Sequence, residues 1–158
     1  MNINSVWTKA QSLELQVSGN ISSEFDICFD KRISEDMKME LCSFVEWIES
    51  NYSIPITLSV NFEYNHYLLD QEKKRVGYLF YWTDFSSYPV FDNIEDIPEI
   101  YLPVRTEYST IEEILTSFIE AITDYYAWLC NVIHEDYKPS KKEVEEILQK
   151  YYSYRNDR

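Results

Sequence analysis

Glu120 and Asp124 stand one helical turn apart in TSFIEAITDYYAWL, residues 116–129. Two carboxylates at that spacing share a helix face, where they can wall a cleft and carry acid–base work. The same spacing suits two solvated acids, so the chemistry needs a second component. A metal would supply it, but ligands are few. The histidines are His66, in EYNHYLL, and His134, in NVIHEDY. Their separation matches no zinc-ligand signature, and a histidine at a helix end such as His134 suits the dipole there. DNIED, residues 92–96, gathers carboxylates but lacks the glycine and ligand spacing of a calcium loop. No metal and no cofactor is expected. Cys28, Cys42 and Cys130 stand among apolar residues and read as buried structural thiols. No serine sits in a G-x-S-x-G elbow, and Gly19 and Gly77 alone cannot build a phosphate-binding glycine loop.

A second kind of chemistry is recognition. Residues 76–104 contain no Lys or Arg but carry Asp84, Asp92, Glu95, Asp96 and Glu99. Phe85, Tyr88 and Phe91 fall among them without a regular period. Acids beside aromatics receive Arg or Lys through ion pairs and cation–π contacts. Phe85, Tyr88, Phe91, Asp92, Glu95 and Asp96 are therefore the candidate binding residues. The alternative is a loop that folds these rings over the core.

The charge balance narrows the partner. Twenty-eight acids oppose 14 bases, for a net charge of −14. Nucleic acid and anionic membrane surfaces both select basic stripes, which this chain lacks. Strong acidity favours solubility and rapid encounter with a basic protein. No apolar run approaches a membrane span. An odd number of widely spaced cysteines is no disulfide framework and points to a reducing compartment. MNINSVWTKAQSLELQ has no basic-then-apolar leader pattern. A cytoplasmic location is the expectation.

The elements that must position these residues follow from periodicity. At 158 residues the chain suits one domain, burying roughly two thirds of its unfolded surface. Leu13, Leu15 and Val17 alternate, Gly19-Asn20 is a turn signal, and Phe25, Ile27 and Phe29 alternate again, giving a hairpin over 12–29. Ser34 opens a helix over 34–51, with Met37, Leu41, Phe44, Val45 and Ile48 on its stripe. Ile56, Leu58, Val60, Phe62 and Tyr64 point one way in a strand over 55–64. VGYLFYW, 76–82, is apolar on both faces and is expected at the sheet's centre. The strand at 97–104 carries Pro98 and Pro103 and is expected at an edge. Ser109 and Glu112 form a capping box that opens a core helix over 110–134, and a further box at Ser140 opens a helix over 140–154. The fold class is α+β: a small, mostly antiparallel sheet of about five strands packed with two long helices and a C-terminal helix.

That order resembles a minimal zincin, a metallopeptidase domain with a backing helix, a small sheet, an edge strand along the cleft and an active-site helix. The likeness covers residues 34–134, and IEAITDYYAW aligns with a His-Glu-x-x-His helix and its trailing aromatics. The resemblance places Ile119 and Thr123 where the two imidazoles belong and retains only Glu120. Isoleucine cannot ligate zinc and threonine does so poorly, while a general base without metal-bound water has little to activate. The implied frame is a pseudoenzyme whose relic positions are Ile119, Glu120 and Thr123.

The expectation from sequence is a non-catalytic acidic protein that binds a basic protein, in the manner of an inhibitor or immunity protein. Two alternatives stand beside it. One is an atypical hydrolase using Glu120 and Asp124 or a metal site hidden from the sequence. The other is a homodimer that buries its aromatic surface against itself.

Overall fold

Local chemistry fixes where the helices begin. Ser34 is extended, and its hydroxyl accepts from the Met37 amide at 3.2 Å, capping the helix Glu35–Asn51. Glu35 and Asp36 occupy its first turn, where negative charge favours the dipole. Tyr52 ends it in an extended conformation, and Pro55 lies beyond. The structure, a computed structural model, describes residues 3–11, 24–64, 78–81, 98–105, 109–130 and 141–157. These residues contain, in chain order, α1 (Ile3–Gln11), β1 (Phe25–Phe29), α2 (Glu35–Asn51), β2 (Leu58–Glu63), β3 (Leu79–Tyr81), β4 (Glu99–Pro103), α3 (Ile111–Leu129) and α4 (Lys141–Asn156). The class is α+β. No described helix is long and apolar enough to cross a membrane.

The described strands make one mixed sheet in the order β1–β2–β4–β3. Ile27, Val60, Ile100 and Phe80 form one row across it. The pairs β1–β2 and β2–β4 are parallel, and β3–β4 is antiparallel. This corrects the expected mostly antiparallel sheet of five strands. The cause lies in the connection: α2 returns the chain from the end of β1 to the start of β2, the long crossover a parallel neighbour requires. Of the expected hairpin over 12–29, the second arm is β1, and residues 12–23 lie outside the described residues.

Two strands exchange their expected places. The proline-bearing strand lies inside the sheet, between β2 and β3, while β3 pairs only with β4 among the described residues. The prolines are tolerated because they bracket β4. Pro98 precedes it, and its carbonyl accepts from Ser59 N at 3.0 Å. Pro103 is its last residue, and the next amide, Val104 N, donates to Glu63 O at 2.7 Å.

One face of the sheet supplies the core. Phe25, Leu58, Val60, Phe62, Ile100 and Leu102 are buried there. Phe118 of α3 sits among them, its ring 5.5 Å from Phe62, 5.3 Å from Phe44 and 6.2 Å from Phe25. α4 adds Tyr151, 5.1 Å from Phe44 and 5.7 Å from Trp47. Tyr64, expected on the core face, lies past the end of β2 and is half-buried, whereas Thr57 is buried.

Two cysteines depart from expectation. Cys130 is buried, but Cys28 and Cys42 are exposed. Cys28 takes the outward phase of β1 between Ile27 and Phe29, and Cys42 stands one residue off the α2 stripe, next to Leu41. α1 was not expected at all, yet Val6, Trp7 and Ala10 bury its inner face.

Candidate functional site

α3 carries Ile119, Glu120 and Thr123, so its placement decides what they can do. Thr110 caps it: the hydroxyl accepts from Glu113 N at 3.1 Å, and Glu113 Oε1 accepts from Thr110 N at 3.0 Å. The capping box is therefore one residue later than the expected Ser109–Glu112 pair. Ser109 instead donates its amide to Arg105 O at 3.0 Å, and its buried hydroxyl has no partner among the described residues. The helix is apolar on most sides because sheet, α1 and α4 all pack against it.

Ile119 and Thr123 are both fully buried. Trp7 Nε1 donates to Thr123 Oγ1 at 3.0 Å, and the same hydroxyl donates to Ile119 O at 2.8 Å. The two positions thus form a buried seam, where the Thr123 hydroxyl ties α3 to Trp7 of α1. Cys130 Sγ, 3.9 Å from Val6 O, lies on the same seam. Two ring contacts extend it: Trp7 meets Tyr52 at 4.8 Å and Tyr126 at 5.2 Å, both edge-on.

Glu120 and Asp124 are half-buried. The Tyr78 hydroxyl donates to Asp124 Oδ2 at 2.6 Å. Burial pushes this phenol well above its ordinary range, and the Asp124 and then the Glu120 carboxylates add to the shift. Tyr78 therefore stays a protonated donor that holds Asp124 in place. β3 packs on α3 here, with the Phe80 and Trp128 rings 6.4 Å apart. The rim so formed presents carboxylates and a phenol beside β3. It can accept a cationic side chain. As an acid it is poor, because the phenol's proton is held by the charges it faces.

The structure thus separates the three residues: Ile119 and Thr123 are together in the core, and Glu120 is on the rim with Asp124. Phe85, Tyr88, Phe91, Asp92, Glu95 and Asp96 lie outside the described residues, as do His66 and His134. Among the described residues no three His, Cys, Asp or Glu side chains converge on a point that would hold a metal ion.

Four contributors escaped the sequence. Tyr78 reads as one more apolar strand residue. Trp7 was readable, since Val6, Trp7 and Ala10 recur at helical spacing. Tyr125 and Tyr126 look like core, but each has a polar task. Tyr125 OH accepts from Ile56 N at 3.1 Å and donates to Ile56 O, and Tyr126 OH donates to Ser53 O at 2.8 Å. Together they fix the segment that leads into β2.

No family model matches the chain, and neither a curated protein nor a solved structure matches it.

Proposed function

We propose that this chain is a non-catalytic, acidic protein-binding module of the cytoplasm, built on a zincin-like frame and directed at a basic protein. The observation that carries the reading is the fate of Ile119 and Thr123. A metallopeptidase helix turns two imidazoles toward a water-accessible metal. Here the equivalent positions are buried under α1, and Thr123 bonds Trp7 and Ile119 instead. The succession α2, β2, β3, β4, α3 supports the frame, but β4, the strand the likeness puts at the edge along the cleft, lies between β2 and β3.

The net charge of −14 supports the partner's sign. The rim of Glu120, Asp124 and Tyr78 offers carboxylates beside an aromatic ring, and the acidic, aromatic stretch at 85–96 is continuous in sequence with β4. A role in inhibiting or neutralising a basic toxin or enzyme fits this chemistry.

The test is capture from a lysate of the cell that makes the protein, with elution by rising salt. The reading expects a basic protein that leaves with salt. Two variants locate the contact: Glu120→Lys with Asp124→Lys, and reversal of Asp92, Glu95 and Asp96. One of them should abolish capture. If a partner binds both variants as tightly as the native chain, acidic recognition is wrong.

A further inference from the structure

Met39 is the one large apolar side chain that stands exposed among the described residues, 70% accessible. α2 buries Leu41, Phe44, Val45, Trp47 and Ile48, and Met39 stands on the side opposite that stripe, where packing gives it no task. Cys42, three residues on, is exposed as well, and its thiol is in no disulfide. Glu46, four residues further, is exposed on the same side. Spacings of three and four bring side chains onto one helix face, with Cβ atoms about 5–6 Å apart. A thioether, a thiol and a carboxylate thus stand in a row. Helical side chains lean toward the N-terminus, so Cys42 leans over the turn of Met39 and Glu46 over that of Cys42. Partial burial first, and then the Glu46 carboxylate, push the Cys42 thiol up, which places the carboxylate near the sulfur. Lys38, one turn before Cys42, is turned to Glu35 Oε1 at 3.2 Å.

Two sulfurs on one metal ion, each at a bond length of about 2.3 Å, lie no more than roughly 4.6 Å apart. Cys Sγ is one bond from its Cβ and Met Sδ two bonds from its own. Cβ atoms about 5–6 Å apart therefore allow that separation with the helix undisturbed. The donor set selects the ion. Zinc takes thiolate, imidazole and carboxylate, while calcium and magnesium take oxygen, so none of them calls for a thioether. A thiolate with a thioether suits a soft ion, copper(I) foremost, which accepts as few as two ligands. The carboxylate of Glu46 adds attraction for a cation at that point. The lack of a converging triad of His, Cys, Asp or Glu does not bear on the pair, since one of its sulfurs is a methionine's.

We propose that Met39 and Cys42, on the outer face of α2, bind one copper(I) ion through both sulfurs, with Glu46 beside them. The Cys42 thiol proton passes to solvent as the copper–sulfur bond forms. The site rests neither on the acidic rim of α3 nor on a basic partner.

The experiment titrates the full chain with copper(I), without oxygen, against a chromophoric copper(I) chelator. It uses a Cys28→Ser background, so that Cys42 is the one exposed thiol among the described residues. One ion per chain is expected, with two sulfurs at bonding distance in X-ray absorption. Cys42→Ser should abolish binding. Met39→Leu keeps the size and apolarity but loses the donor. It should weaken binding about tenfold or more, since even a residue that only orients a metal ligand is worth about 10–100-fold. Met37→Leu, a thioether packed against the core, should leave binding unchanged. Met39, Cys42 and Glu46 are exposed, so their variants should keep the circular-dichroism spectrum of the parent. Binding by Met39→Leu as tight as the parent's, or a single sulfur at bonding distance, would mean that the thiol acts alone and would overturn the site. Retention of the ion by Cys42→Ser would overturn it too.

Discussion

Trp7 and Thr123, 116 residues apart in sequence, meet in a buried hydrogen bond of 3.0 Å that fastens α1 to α3. Removing the acceptor strands a buried indole N–H, which costs the full desolvation of that donor. Thr123→Val should therefore lower unfolding free energy in urea by about 1–3 kcal/mol, and Thr123→Ser by much less. In a double-mutant cycle with Trp7→Phe, most of the Thr123→Val loss should disappear, because no donor is then left unpaired. Additive losses would mean the bond contributes nothing.

The same seam bears on the zincin likeness. Ile119→His with Thr123→His rewrites the helix as His-Glu-x-x-His, yet both new imidazoles would be buried under α1 with no room for metal and water. Burying two polar rings should cost at least about 3 kcal/mol, so the double variant should melt far below the native chain. Its folded fraction should carry no more zinc than the native protein after desalting. A folded double variant with one zinc per chain would show that α1 yields readily and that the face is a latent metal site.

Two buried tyrosine hydroxyls should respond oppositely to removal. Tyr125 OH serves both the amide and the carbonyl of Ile56, so Tyr125→Phe leaves two backbone groups unsatisfied beside β2. A loss of about 2–3 kcal/mol is expected. Tyr151 is fully buried, and its hydroxyl has no hydrogen-bond partner among the described residues. Tyr151→Phe removes that unpaid desolvation while keeping the ring stacked near Phe44 and Trp47, so chemical denaturation should shift little or toward greater stability. A large loss at Tyr151 would reveal a partner for the hydroxyl, such as a bound water.

The helix cap separates what a sequence can say from what it cannot. Ser109–Glu112 and Thr110–Glu113 are overlapping capping boxes, both valid by spacing. Which one forms depends on how the chain arrives, and Ser109 N is already committed to Arg105 O. Thr110→Ala should cost about 1 kcal/mol, whereas Ser109→Ala should be nearly neutral.

Features governed by neighbours in sequence were legible in general: the Ser34 cap, the α2 stripe and the alternation in β2 all appear where periodicity puts them. Features governed by distant partners were not. The prolines of β4 suggested an edge, but whether a missing donor matters depends on which strands flank it, and Pro98 and Pro103 fall at the ends of the ladder. β3 looked central because its two faces are apolar, yet part of that apolar surface serves α3 through Phe80, and among the described residues β3 pairs with β4 alone. For the candidate site, Ile119 and Thr123 were readable as non-ligands from residue type alone. Their burial under α1 was not, because it needs a contact across most of the chain. The pairing of Asp124 with Tyr78 was hidden for the same reason.

The buried phenols also set the behaviour at high pH. Burial first, then neighbouring charge, raises Tyr78, and burial raises Tyr125 and Tyr126 far above the usual phenol range. In the unfolded chain these groups titrate near about 10. Below that pH both states keep the proton, and the stability is fully present. Above it the unfolded chain releases protons that the folded chain retains, so the unfolded state binds fewer and stability falls as pH rises. Each tyrosine contributes a slope of up to about 1.4 kcal/mol per pH unit, so the three together make alkaline unfolding steep. Phenolate absorbance should accordingly rise in two stages: a gradual one from the other tyrosines, then a cooperative one that coincides with loss of the folded circular-dichroism signal. In Tyr78→Phe the second stage should begin at higher pH and be shallower. If all tyrosines ionise gradually while the fold persists, the three hydroxyls are reached by solvent and the packing around α3 is looser than described here.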